Sequence, residues 1–198
     1  MKILPTIGYI GIFGIVFAES GLLIGFFLPG DSMLFTAGFL ASQGFFNIYI
    51  LAILSFVGAV VGDSVGYWFG HKVGRRLFHK KDSFFFHKEN LMKAEKFYEK
   101  HGKKTIILAR FLPVVRTFAP IVAGIGTMHY NTFLSYNVIG GFFWSVGMTV
   151  AGYFLGRIIP DVDKYLIPIV LVIIIVSVLP TFIHLLKDYM ENKKKTAS

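Results

Sequence analysis

The chain has 198 residues, of which 55% are hydrophobic and 17% aromatic, with a formal net charge of +9 and a mean hydropathy of +0.65. A soluble domain of this length does not need so much apolar sequence, and several runs approach or exceed the roughly 18–20 residues that cross a bilayer core. The composition defines an integral membrane protein, and the lack of cysteine excludes a disulfide framework, a thiol nucleophile and a thiolate metal site.

The first stretch, MKILPTIGYIGIFGIVFAES, has the length of a signal peptide. It carries a single Lys, no small-x-small cleavage site, and Glu19 inside its apolar run, so it is read as retained. The first apolar block runs from Ile7 to Leu28, breaks at Pro29-Gly30-Asp31, and resumes from Ser32 to Ala41. Because Ile7–Leu28 is long enough to span fully, the side of the N-terminus stays open. Apolar sequence then continues from Phe45 to Phe69, interrupted by Asp63.

From His71 to Lys104 the chain turns basic: 11 of the 20 Lys and Arg residues fall between Lys72 and Lys104, and four more lie at or after Lys187. Basic clusters beside membrane segments mark the cytoplasmic face and its anionic lipid headgroups, so nucleic acid is not the expected partner. Within this loop Leu91, Ala94, Phe97, Tyr98 and His101 recur at helical spacing. They predict an amphipathic helix, either lying on the membrane surface or solvated and packed on the protein. Three further apolar segments follow (105–128, 132–156 and 165–186), and then the polar tail 187–198.

Three full crossings would separate the basic loop from the Lys-rich tail. If 105–128 enters and returns on one side, both basic regions stay cytoplasmic. Pro113 and Pro120 supply the bend, since each lacks an N–H and disfavours helix at the residue before it. Irregular backbone at that depth survives only when buried in protein or lining a cavity.

A repeat supports this organisation. Shifted by 86 residues, Ala37-Gly38 falls on Ala123-Gly124 and GYWFG (66–70) on GYFLG (152–156); Ile53, Phe56 and Val60 match Ile139, Phe142 and Val146. The expected fold is an all-α polytopic membrane protein. It has two oppositely facing re-entrant hairpins in an inverted repeat, transmembrane helices and a cytoplasmic amphipathic helix. A single domain covers 1–198. The first repeat is about 7–70, the basic loop about 71–104, the second repeat about 105–157, the C-terminal transmembrane helix about 165–186, and the cytoplasmic tail 187–198. Hairpin breaks are expected at Pro29, Gly30, Pro113 and Pro120.

Five ionisable residues stand in apolar sequence: Glu19, Asp31, Asp63, Arg110 and Arg116. Each costs roughly 2.5–3.5 kcal/mol at a helix centre, so such residues face an interior, where they pair or act on a substrate. On an unbroken helix Arg110 and Arg116 would point about 240° apart, whereas a break at Pro113 can turn both toward one cavity. Two guanidiniums there form a fork suited to a phosphate, and buried acids at the other hairpin, Glu19 and Asp31, can bind and release protons. The alternative is a structural Glu19–Arg110 salt bridge holding the broken segments together. Asp63, beside Gly62 and Ser64 near a membrane edge, reads as an interfacial acid or an accessory to the site.

Other motifs carry less. GDS at 30–32 and 62–64 lacks the context of a hydrolase nucleophile. His71, His79 and His87, eight apart, have no metal-ligand spacing, and no metal or cofactor is expected. Gly8, Gly11 and Gly14, like Gly140-Gly141, predict close helix packing.

Two charged motifs carry a family resemblance: E-S-G-x(7)-P-G-D-x(2)-L from Glu19 to Leu34, and R-F-x-P-x(2)-R-x(3)-P-x(2)-A-G from Arg110 to Gly124. With the G-Y-x(2)-G clusters they span roughly residues 8–160. On them the chain resembles the bacterial DedA membrane proteins, related to the proteins that carry the VTT (SNARE-associated Golgi) domain. The resemblance implies two facing re-entrant hairpins and lipid translocation, either return of undecaprenyl phosphate to the cytoplasmic leaflet or movement of glycerophospholipids. It also implies activity residues at Glu19, Asp31, Arg110 and Arg116, and a transporter rather than an enzyme. A proton-coupled antiporter of small cations or drugs, and a non-transporting scaffold, are the competing readings. Neither the lipid nor the oligomeric state is specified by the sequence.

Overall fold

The computed structural model describes residues 3–22, 30–73, 99–126 and 128–158, with the isolated helical positions 92 and 96. Pro29, most of the basic loop with the amphipathic helix expected in it, the segment 165–186 and the tail lie outside the described residues. Among the described residues the fold is all-helical, with no strand. It comprises α1 (Ile3–Gly21), α2 (Gly30–Ser42), α3 (Ile48–Val73), a 3₁₀ turn (Gly102–Lys104), α4 (Thr105–Ala109), α5 (Pro113–Ile125), α6 (Tyr130–Gly141), a π-helical segment (Phe142–Val146) and α7 (Gly147–Ile158). The last three run on as one rod, so two helices, Ile48–Val73 and Tyr130–Ile158, are long and apolar enough to cross a membrane.

Side-chain chemistry fixes the turn between α2 and α3. Gly44 adopts φ +82°, its N–H bonds to Ala41 O at 3.1 Å, and Phe45 N–H reaches back to Leu40 O at 3.1 Å. This is a Schellman closure, which calls for a residue free of the Cβ penalty at the left-handed position. Asn47 then opens α3. Its Oδ1 accepts from Tyr49 N at 3.0 Å and Ile50 N at 3.2 Å, satisfying two N–H groups that the helix cannot. The Asn47 N–H donates to Tyr9 Oη at 2.6 Å, tying α1 to the same corner.

α3 is the axis of the fold. Gly58, Gly62, Gly66 and Gly70 recur every fourth residue and form a ridge without side chains. A Cβ at Gly58 would lie 3.2 Å from Phe13 O, and one at Gly62 would lie 2.6 Å from Phe17 O, so the upper ridge is where α1 lies. Further along, Gly66 faces Pro120 and Gly70 meets the Ile121 backbone on α5. The spanning rod repeats the device: Gly152 abuts the Phe35 backbone and Gly156 meets Phe39 and Ser42, while Gly38 of α2 meets the Thr149 backbone. Close backbone approach of this kind is how helices pack where lipid removes the hydrophobic drive.

The distribution of polarity is inverted relative to a soluble protein. Ile50, Val57, Val61, Val65 and Trp68 form an exposed apolar face on α3, whereas Glu19, Ser55, Asp63, Arg110, Asn137, Ser145 and Thr149 are buried. That arrangement is costly in water and natural in lipid. The core between the helices gathers Ile12, Val16, Leu34, Ala37, Leu51, Ala59 and Trp144.

Two expectations are corrected here. Pro120 does not break the chain: it lies inside α5. Its absent N–H deprives only the Arg116 carbonyl, and Gly66 opposite provides room for the ring, 3.4 Å from where a Cβ would stand. Among the described residues Gly11 and Gly14 mediate no packing, because none of them lies within 4 Å of a Cβ at either; Gly8, by contrast, meets the Phe46 ring.

Candidate functional site

The chain leaves helix at Arg110–Leu112, where Leu112 is extended (φ −120°, ψ 107°) and Pro113 occupies the first turn of α5. The residue before a proline is pushed out of the helical region, and proline suits a helix start. Arg110 and Arg116 therefore sit on either side of a backbone break, and together with Ser20, Asp63 and Trp144 they line one small cavity.

Arg110 is buried and held by protein through one guanidinium nitrogen, while its Nε has no hydrogen-bond partner among the described residues. Its Nη2 lies 2.5 Å from Asp63 Oδ2, bonds to Asn137 Oδ1 and reaches Ala59 O at 3.5 Å. Asn137 is held in turn, donating through Nδ2 to Val60 O at 3.0 Å. Gly140 and Gly141 let the guanidinium pass: a Cβ at Gly140 would sit 3.1 Å from Arg110 Cδ, and one at Gly141 would sit 3.5 Å from its Nη2.

Arg116 faces the other two acids. It forms an ion pair with Glu19, which is fully buried, and its Nη1 lies 3.0 Å from Asp31 Oδ1. Glu19 Oε1 also accepts the Gly30 N–H at 3.2 Å, and a Cβ on Gly30 would fall on the Glu19 carboxylate. Gly30 thus begins α2 as the contact point for Glu19. The Asp31 side chain is 45% exposed against 11% for Arg116, making it the most accessible charge of the cluster. Trp144 Nε1 donates to the same Asp31 Oδ1 at 2.7 Å, and the indole lies 5.1 Å from the Arg116 guanidinium and 6.0 Å from that of Arg110, within cation–π range.

All five charged residues singled out in the sequence meet here, with pairings that differ from expectation. Glu19 pairs with Arg116 and not with Arg110. Asp63 is no edge acid: α3 continues to Val73, which places Asp63 mid-helix, 4% exposed, as the counter-ion of Arg110. Two participants escaped the sequence reading. Asn137 is an amide inside an apolar span, the kind of residue that bridges helices in lipid. Trp144 lies mid-span rather than at the interface where Trp usually sits; its π-helical setting is a feature that often accompanies functional sites.

Among the described residues, an all-helical fold with two helices long and apolar enough to cross a membrane, an apolar exterior and a buried charged cavity defines a polytopic membrane protein. The family model described as VTT domain matches residues 28–154. Protein DedA of Escherichia coli K12 is 48% identical over 181 residues, covering 90% of this chain and 82% of that protein. An uncharacterized membrane protein of Mycobacterium leprae is 45% identical over 184 residues, 93% of this chain and 82% of the relative. Inner membrane protein YqjA of E. coli K12 is 30% identical over 153 residues, 75% and 68% of the two chains. No solved structure matches. The chain belongs to the DedA family of VTT-domain membrane proteins.

Proposed function

We propose that the chain is a lipid transporter of the bacterial cell membrane that returns undecaprenyl phosphate to the cytoplasmic leaflet, coupled to protons. The observation that carries the reading is the Glu19–Arg116–Asp31 cluster bordering the cavity beside the Arg110–Asp63 pair. Guanidiniums recognise phosphate oxygens in pairs, and this one already holds exchangeable carboxylates in their place.

Charge balance supports proton coupling. Three carboxylates against two guanidiniums leave one negative charge in excess when all are ionised. Bringing an anionic phosphate into that site without neutralising an acid is costly at low dielectric. Inward movement of the anion also opposes an inside-negative potential by about 2.3 kcal/mol per charge per 100 mV, which an accompanying proton offsets.

The same reading gives the fold its functional sense. Each short helix packs on the spanning helix of the other half, α2 on α7 and α5 on α3. That exchange is consistent with two re-entrant segments facing one another in an inverted repeat around a midplane site. The basic loop and the C-terminus are then cytoplasmic, with the loop against anionic lipid headgroups.

The test is flux in proteoliposomes for several headgroups, with and without a pH gradient. Uptake of polyprenyl phosphate that requires the gradient is expected. Gradient-independent movement of phosphatidylethanolamine, or flux of a cationic drug without lipid, would replace this reading with the corresponding alternative.

A further inference from the structure

Asp31 Oδ1 sits between two donors, 3.0 Å from Arg116 Nη1 and 2.7 Å from Trp144 Nε1. An oxygen of a phosphate monoester bound at Arg116 would need that same position. The carboxylate holding it is the most exposed member of the cluster, on the first turn of α2, so it can leave without dismantling the core. Trp144 is not free to leave: it is 3% exposed, packed in the central apolar cluster, and its ring lies against both guanidiniums. Its N–H is a donor with no acceptor function, and buried it requires a partner whether or not Asp31 is there.

We propose that Trp144 is a ligand-binding donor of the anion site and that Asp31 is its resident internal ligand. An incoming phosphate oxygen displaces the Asp31 carboxylate and accepts from both Arg116 and the indole N–H. Arg110, fixed by Asp63 and Asn137 and 6.0 Å from the indole, supplies positive potential without exchanging partners. The assignment rests on the anionic-phosphate reading above and adds a contact and a competitor to it.

The chain has two tryptophans, and Trp68, 46% exposed on the outer face of α3, can be replaced. In purified full-length Trp68→Phe protein, Trp144 emission is followed during titration with farnesyl monophosphate, inorganic phosphate or farnesol. Binding of radiolabelled farnesyl monophosphate is measured on the same samples. A saturable emission change with farnesyl monophosphate, absent with farnesol, is expected. Asp31→Ala should lower the half-saturating concentration roughly tenfold, equivalent to removing a competitor worth about 1.4 kcal/mol, even though it stops transport. An equal response to inorganic phosphate at the same concentration would also support the site and make free phosphate its ligand. Bound label with unchanged emission, or weaker binding in Asp31→Ala, overturns the assignment while leaving the phosphate reading standing. Failure of the parent protein to bind any label overturns both.

Discussion

Asp63 and Arg110, 47 residues apart in sequence, form a buried ion pair at 2.5 Å. Neither has water to fall back on: each side chain is 6% exposed or less. Removing one partner strands the other charge, which costs about 3–5 kcal/mol, whereas replacing both with apolar residues of similar volume is often tolerated. Asp63→Ala should therefore lower the unfolding free energy in detergent by that amount. Asp63→Leu combined with Arg110→Met should recover most of the stability while transport stays lost. A single variant as stable as the parent would contradict the pairing.

The glycine ridge of α3 makes a contrasting pair of predictions. Gly62→Ala places a Cβ 2.6 Å from Phe17 O, against backbone that cannot yield cheaply, and overpacking of this kind costs about 1–3 kcal/mol. Gly11→Ala meets nothing within 4 Å in α1 and should stabilise by about 0.5–1 kcal/mol through reduced backbone freedom in the unfolded chain. Thermal unfolding of the two variants in one detergent checks both signs.

Gly30 is constrained for a different reason. A Cβ there collides with the Glu19 carboxylate and forces it off both the Gly30 N–H and Arg116. A hydrogen bond to a charged group contributes about 1.5–3 kcal/mol, so Gly30→Ala should slow transport at least roughly tenfold. The unfolding midpoint should fall at least as far as in Gly62→Ala, because a buried ion pair is broken. Unaltered flux would show that Glu19 is not held from Gly30.

How much of this was legible beforehand follows from how each feature is encoded. A charge in an apolar run is conspicuous because its cost is local, and all five members of the cluster stand out in the sequence on that ground. The break before Pro113 was equally visible, since proline constrains its neighbour directly. Pairing was not, because Glu19 and Arg116 are brought together by helices whose packing depends on Gly58, Gly62, Gly66 and Gly70. That four-residue spacing is present in the sequence, but so is the triplet Gly8, Gly11, Gly14, two of whose members meet nothing among the described residues. Pro120 misled for a related reason: its effect depends on the small residue opposite, Gly66, and on no property of its own segment. Trp144 and Asn137 are single residues whose roles depend on which side chains meet them.

Charge balance in the cluster makes a prediction about driving force. With three carboxylates and two guanidiniums, the proposed binding of a phosphate calls for one or more acids to take up a proton. Dissipating the pH gradient across proteoliposomes should reduce uptake of polyprenyl phosphate at least roughly tenfold, in line with the 1.4 kcal/mol or more that a coupled charge supplies per ~60 mV. Uptake indifferent to the gradient would exclude proton coupling.

The central claim is that Arg116 receives the lipid phosphate, and the most direct measurement is uptake of radiolabelled polyprenyl phosphate by proteoliposomes carrying Arg116→Ala. Arg116→Lys, which keeps the charge but loses the fork, is measured beside it. Abolished uptake in Arg116→Ala with partial uptake in Arg116→Lys is predicted, both proteins being folded by their unfolding midpoints. Parental rates in Arg116→Ala would contradict the claim and leave Arg116 as a structural partner of Glu19 and Asp31.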